Sequence, residues 1–311
     1  MIILSKEEIQ EHLHISDLIS ALKKAFATNP IVPERQHLKI PQSGGDDATL
    51  LLMPAWSRDY IGVKIATVFP GNVTNGKPAV EASYLLKSGL TGELLAILDG
   101  SVLTTMRTAA ASALASSYLS RANSKTLLVI GAGALAAPLI LAHQTIRNFE
   151  RVLVWNRSKD RIPALKEELE SKCEIEIVDD LDRFVGQADV ISCATLSKRP
   201  LVKGELVKPG CHVDLVGAYL PSMRECDTAL IERASVFVDT RQGATAEAGD
   251  LIQAENEGSW TMDHIKAELS ELCTGLHAGR ASEDEITVFK SVGYSLEDLV
   301  AAELAYSQFC T

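Results

Sequence analysis

The strongest constraint in this chain is a glycine turn set between an apolar strand and an apolar helix. Thr126–Ile130 reads as the strand, Gly131-Ala132-Gly133 as the turn, and Ala134–Asn148 as the helix. Ala136 completes a G-x-G-x-x-A spacing. The motif is short, but this strand–turn–helix context is what its mechanism requires. Gly131 permits the tight turn. Gly133 lets the backbone approach a pyrophosphate, and the helix N-terminus offers free N–H groups and a positive dipole end. The turn therefore predicts a dinucleotide site.

The residues that follow alternate between strand and helix patterns. Strands are expected at Arg151–Trp155, Ile175–Val178, Val190–Ala194, Cys211–Val216 and Val236–Asp239, with helical stretches between most of them, the first over Lys159–Lys172. That alternation predicts an α/β fold, a doubly wound parallel sheet of Rossmann type. The segment Glu285–Phe309 reads as a helix pair around Gly293. It either finishes the Rossmann domain or packs back on the first.

The first third of the chain has a different rhythm. A capping box of Ser5 and Glu8 opens a short helix, and Ser16 is placed to cap a second over Asp17–Thr28, stopped by Asn29-Pro30. Strands are expected at His37–Ile40, Thr49–Met53, Tyr60–Phe69, Glu81–Lys87 and Glu93–Asp99. Turn residues separate them at Pro41 to Asp47, at Pro70-Gly71-Asn72 and at Gly89 to Gly92. An alanine-rich helix runs from about Ser101 to Leu119. The polar stretch 121–125 marks a boundary, so residues 1–122 are expected to form a first, α+β domain and 123–293 the nucleotide domain. The C-terminal helix, about 294–311, is expected to return to the first.

With 311 residues and 46% hydrophobic content, the chain can bury a large core. Its net charge of −11 disfavours nucleic acid and anionic lipid as partners. The longest apolar run, Leu127 to Ala142, is broken by Gly131, Gly133 and Pro138 and is too short for a good membrane span. Six cysteines without a C-x-x-C pair read as reduced core residues of a cytoplasmic protein, and no signal peptide is visible. The histidines, among them His37, His212, His264 and His277, show no metal spacing. His212 reads as a packed or hydrogen-bonded side chain.

The second nucleotide-domain strand ends in Asn156-Arg157-Ser158. An NAD-specific fold usually places Asp or Glu there to accept the ribose 2′-hydroxyl. Asn, Arg and Ser suit a 2′-phosphate instead, so NADP(H) is the expected cofactor, with NAD(H) also open. Three cations stand out in the first part: Arg35, Lys64 and Arg107. Lys64 lies inside an apolar strand, where it either points to water or meets an anion, because burying it unpaired is costly.

Across nearly its whole length the chain resembles the ornithine cyclodeaminase/mu-crystallin family. The resemblance is carried by Leu52 to Trp56, Lys64 to Asn72, Thr91-Gly92-Glu93, Leu98-Asp99-Gly100, Thr105 to Ala110, Gly131-Ala132-Gly133, Asp214 to Ala218, Glu247 to Asp250 and Phe289 to Gly293. It implies that Arg35, Lys64 and Arg107 hold a substrate carboxylate, which suits a planar guanidinium and an ammonium. By the same resemblance Thr108, Ala134, Leu135, Asn156, Thr195, Val216, Gly217 and Val292 contact the cofactor, and Gly293 lies near the substrate. A homodimer is implied as well, with residues 1–122 as its substrate-binding and dimerisation domain.

One departure bears on the reaction. Ornithine cyclodeaminase carries an aspartate two residues after the glycine matched by Gly217, and Tyr219 stands there in this chain. A tyrosine, with an ordinary pKa near 10, cannot serve as a carboxylate base at neutral pH. The stretch Gly217 to Glu225 instead resembles the family's cyclic ketimine reductases, which reduce Δ1-pyrroline-2-carboxylate to L-proline, and often Δ1-piperideine-2-carboxylate to L-pipecolate. A protonated cyclic imine needs positioning more than an acid, so Tyr219 is read as a wall residue before a proton donor. An alanine-type amino-acid dehydrogenase, a cyclodeaminase and a non-catalytic NADPH-dependent binder like mu-crystallin remain alternatives.

Overall fold

The computed structural model describes residues 1–28, 32–42, 47–75 and 77–310. The Asn29-Pro30 helix stop and the centre of the 41–47 turn lie outside them. In chain order the elements are β1 (Ile2–Leu4), α1 (Lys6–His12), α2 (Ile15–Phe26), β2 (Gln36–Ile40), β3 (Ala48–Trp56), β4 (Tyr60–Val68), β5 (Val80–Ser88), β6 (Leu94–Asp99) and α3 (Gly100–Leu119). Then follow β7 (Thr126–Ile130), α4 (Ala136–Ile146), β8 (Arg151–Trp155), α5 (Ile162–Leu169), β9 (Glu176–Ile177), α6 (Leu181–Val185), β10 (Val190–Cys193) and β11 (His212–Leu215). The chain ends with α7 (Thr228–Arg233), β12 (Ser235–Val238), α8 (Arg241–Glu247), α9 (Gly249–Asn256), β13 (Ala267–Glu268), α10 (Leu269–Thr274), β14 (Thr287–Lys290) and α11 (Ser295–Phe309).

Contacts divide the chain into two compact units. One comprises Met1–Ala25, Asn29–Arg107 and Ser295–Thr311, the other Phe26–Thr28 and Thr108–Tyr294. The division differs from the expected 122/123 boundary. It falls inside α3, between Arg107 and Thr108, and the polar stretch 121–125 comes only after that helix ends.

In the first unit, six strands form one sheet in the order β1-β6-β5-β4-β3-β2. All neighbours are antiparallel except β1 with β6. Strand alternation separates two faces. On one, Leu4, Leu98, Tyr84, Lys64 and Met53 stand in a single register row and all are buried. Helix α11 packs on this side, against β3, β4 and β5. On the other face Ile3, Ile97, Leu85, Val63 and Pro54 form the matching row, and all five retain solvent exposure. Trp56 and Leu38, 52% and 45% exposed, extend it. A nearly all-apolar row left in water is unusual for a monomer. The Ser5–Glu8 capping box is present at α1. Ser16 falls one residue inside α2 rather than capping it, because the helix already begins at Ile15.

The second unit is built on an eight-stranded, wholly parallel sheet in the order β13-β12-β14-β11-β10-β7-β8-β9. Strand β14 corrects the expected helix pair. Thr287-Val288-Phe289-Lys290 is a β-branched and aromatic run, fully buried, inserted between β11 and β12. Short apolar runs of this kind do not reveal their period, and burial on both faces removes the alternation that would mark a strand. The order reverses between β7 and β10, where sheets of this kind open a ligand crevice at the carboxyl ends of the strands. Beneath it, buried Asp214 of β11 accepts hydrogen bonds from Ser112 at 2.9 Å and Ser192 at 2.7 Å and lies 3.3 Å from His143. His212 is bonded to Thr287 at 3.0 Å, and burial pushes it down to about 3, so it stays neutral. No helix among the described residues is long and apolar enough to cross a membrane.

Candidate active site

Lys64 meets an anion, and α11 supplies it. Its Nζ lies 2.9 Å and 2.7 Å from the two carboxylate oxygens of Asp298 and donates to Thr104 at 3.3 Å. Arg107 grips the same element. Its Nε donates to Asp298 at 3.1 Å and one terminal nitrogen donates to Glu297 at 2.6 Å. All four side chains are buried. Lys64 reaches this place because β4 alternates Gly62, Lys64 and Ala66 onto the covered face. Gly62 leaves the room its neighbour needs, since a Cβ there would fall 2.0 Å from the Tyr84 hydroxyl.

The electrostatics of the cluster follow from burial and pairing. Burial pushes Lys64 down to about 8, although Asp298 pulls it back up, and the positive charges of Arg107 and Arg35 push the same way as burial. Burial also disfavours charged Arg107, but Asp298 and Glu297 outweigh it and hold Arg107 above its ordinary value. For Asp298 burial acts upward and is overcome by Arg107, Lys64 and Arg35. Lys64 and Arg107 balance Asp298 and Glu297, and Arg35 adds a third positive field, an arrangement suited to a carboxylate ligand. Arg35, partly exposed, belongs to this group through its field at Lys64 and Asp298.

Neither Glu297 nor Asp298 was singled out from the sequence. The available signal was two adjacent acids within an otherwise apolar helical stretch, which usually means a first-turn dipole pairing. Here they are 1% and 0% exposed, too deep for that role alone.

In the second unit the predicted cofactor residues line the ends of β7, β8, β10, β11 and β14. Gly131 has φ 112°, and a Cβ on it would strike the Ala194 carbonyl at 2.7 Å. Gly133 is different: a Cβ there would meet nothing within 4 Å. The fold itself does not demand glycine at that position, whereas a pyrophosphate lying on the turn would. Leu135 stands at the N-cap of α4 with no side-chain cap; the Ala136 N–H donates to the Gly133 carbonyl at 3.0 Å, and the positive end of the helix dipole follows directly on the turn. Ala134 is exposed beside it. These features fit a dinucleotide.

The Asn156 side chain braces the turn. Its oxygen accepts from the Ala132 N–H at 3.1 Å and its amide donates to the Ser158 carbonyl. Ser158 donates to Asp160 at 2.9 Å, Lys159 pairs with Asp179 at 2.7 Å, and Arg157 is exposed at the strand end. Thr108 is buried on α3.

Two buried carboxylates hold the remaining loops. Asp239 accepts from the N–H groups of Val292 at 2.8 Å and Gly293 at 2.7 Å. Glu225 accepts from the Thr195 N–H at 2.6 Å, the Thr195 hydroxyl at 2.9 Å and the Gly217 N–H at 2.7 Å. Val216 is buried next to Gly217. Tyr219 packs its ring against the core, and burial raises its hydroxyl further, away from service as a base.

A Rossmann sheet with an open glycine turn, together with a buried cation cluster in a separate unit, defines a nicotinamide-dinucleotide-dependent oxidoreductase. The chain belongs to the ornithine cyclodeaminase/mu-crystallin family, whose model matches residues 1–310. It is 39% identical to a Δ1-pyrroline-2-carboxylate reductase of Colwellia psychrerythraea, over 97% of each chain. Among solved structures it is similar to Thermococcus litoralis Δ1-pyrroline-2-carboxylate reductase in complex with NADH and L-proline, with a TM-score of 0.94, 33% identity and coverage of 100% and 98%. It is also similar to an archaeal alanine dehydrogenase dimer with bound NAD, with a TM-score of 0.91, 28% identity and coverage of 99% and 95%.

Proposed function

We propose that this protein reduces a cyclic 2-imino acid, Δ1-pyrroline-2-carboxylate to L-proline and the six-membered Δ1-piperideine-2-carboxylate to L-pipecolate, with NADPH or NADH. The observation that carries this reading is the buried Lys64–Arg107–Asp298–Glu297 cluster, with the positive field of Arg35 added to it. When bound, the reduced nicotinamide supplies the hydride. The chain's own part is to hold the substrate. Arg107 and Lys64 bind its carboxylate, with Arg35 adding its positive field, and Gly293 and Val292 sit on a loop fixed by Asp239. The imine carbon is already electrophilic once its nitrogen is protonated, so fixing the carboxylate supplies much of the rate. Tyr219 forms wall.

The preference for NADPH rests on exposed Arg157 and on Asn156 standing where a carboxylate would repel a 2′-phosphate. Gly131, Gly133, Ala134 and Leu135 would receive the pyrophosphate, and Thr108, Ser158, Thr195, Val216 and Gly217 complete the cofactor contacts. A homodimer through the apolar face of the first sheet is part of the same reading, supported by the row from Ile3 to Pro54 and by the dimeric archaeal relative. So is a cytoplasmic location, given the free cysteines, three of which are buried.

Loss of NADPH and of NADH at 340 nm tests the reaction, with pyrroline-2-carboxylate, piperideine-2-carboxylate, and pyruvate plus ammonia as substrates. Oxidation is expected with the cyclic imines. Turnover only with pyruvate and ammonia would turn the assignment to an alanine-type dehydrogenase, and tighter binding of NADH than NADPH would overturn the cofactor preference. Sedimentation at twice 33.6 kDa is expected for the dimer.

A further inference from the structure

The nucleotide-binding unit contains a buried charge group that the reaction does not use. Glu225, Asp250 and Lys290 are all 0% exposed. Lys290 lies 3.2 Å from Asp250, and Asp250 accepts from the N–H groups of Glu225 and Cys226 at 2.7 and 3.0 Å. Two acids therefore share one lysine. The groups hydrogen-bonded to the Glu225 carboxylate act as donors to it. They are the Thr195 N–H and hydroxyl, the Gly217 N–H, and the Cys193 thiol beneath them. Thr195 and Gly217 follow β10 and β11, and they touch. A Cβ on Gly217 would fall 2.0 Å from the Thr195 carbonyl and 2.6 Å from a Glu225 oxygen.

We propose that Glu225 is a positioning residue for the cofactor, whose charged carboxylate clips the Thr195 and Gly217 loops together and whose neutral form loosens them. The chemistry is local. A carboxylate accepts on both oxygens. A carboxylic acid must donate one hydrogen, which only the Thr195 hydroxyl or the Cys193 thiol can turn to accept, and the Thr195 and Gly217 N–H groups then meet a neutral acceptor in place of a charged one, so their hold weakens. Burial and the negative charge of Asp250 on α9 favour the acid, while Lys290 on β14 and the donors of Thr195 and Cys193 on the β10 side favour the carboxylate. The balance leaves Glu225 raised to about 7. Cofactor that needs the clipped loops then binds the deprotonated protein more tightly. The inference rests on the cofactor reading above but not on the identity of the imine.

The test is NADH affinity by fluorescence, since NADH has no group titrating between pH 6 and 8. For the wild type, affinity is expected to fall about tenfold from pH 8 to pH 6. Glu225→Gln keeps the size but turns an amide against the donors. It should weaken NADH about tenfold at pH 8 and remove the pH dependence, while KM for the imine at saturating NADH stays near wild type. Thr195→Val, which deletes one donor only, should shift the profile in part and serves if Glu225→Gln does not fold. A flat wild-type profile, or Glu225→Gln binding within about twofold of wild type at pH 8, overturns the proposal. A wild type that binds neither NADH nor NADPH overturns the cofactor reading itself, a result distinguishable from the first two.

Discussion

The two units use buried carboxylates in opposite ways. In the first, Asp298 and Glu297 face side-chain cations and hold their charge in place. In the second, Glu225 and Asp239 face backbone N–H groups and hold loops in place. The difference tracks what each unit recognises. A carboxylate ligand is recognised by charge, so the protein must keep cations ionised where water is scarce, and internal acids do that. A dinucleotide is recognised largely by shape and by N–H groups, so the requirement there is a fixed main chain.

Deleting an internal acid breaks this contrast most severely. Asp298→Ala leaves Lys64 and Arg107 short of a counter-charge in a dry site, and a loss of about 3–5 kcal/mol of stability is expected in denaturant titration. A loss under 1 kcal/mol would mean that water reaches the cluster. Next comes the clamp. Lys64→Ala and Arg107→Ala should each lower turnover of the cyclic imine about 10²- to 10³-fold while NADH affinity stays within about twofold. Equal loss of both would show that the cations serve structure and not substrate. The smallest effect is expected at Gly133. Gly133→Ala should weaken NADH about tenfold yet leave the melting temperature of the cofactor-free protein unchanged or slightly raised, because its Cβ meets open space. A fall in stability with normal binding would reverse that reading.

The sheet elements were legible where periodicity was clean. Strands β7 and β8 have the expected limits, and the meander from β2 to β6 follows the alternation read in residues 37–99. The misses share one cause. β14 and the N-terminal β1 are short, and a short apolar run carries no period. At the site, Lys64 and Arg107 were visible because a cation in an apolar element is anomalous. Their partners were hidden. Asp298 is 234 residues from Lys64 in sequence, and an acid in the first turn of a helix looks ordinary. Glu225 was hidden for the same reason, since what makes it unusual is the ring of donors from distant strands.

Helix α3 has a consequence for how such an enzyme can change over time. From Arg107 to Ser116 every residue is buried, most of them alanine or serine. A rod packed on all sides can neither roll about its axis nor slide along it, so the origin of the Arg107 side chain is held like an axle keyed in place. Larger residues forced into such close packing would cost about 1–3 kcal/mol each. A descendant of this chain that takes a different acid must therefore leave the axle alone and vary the surfaces around it.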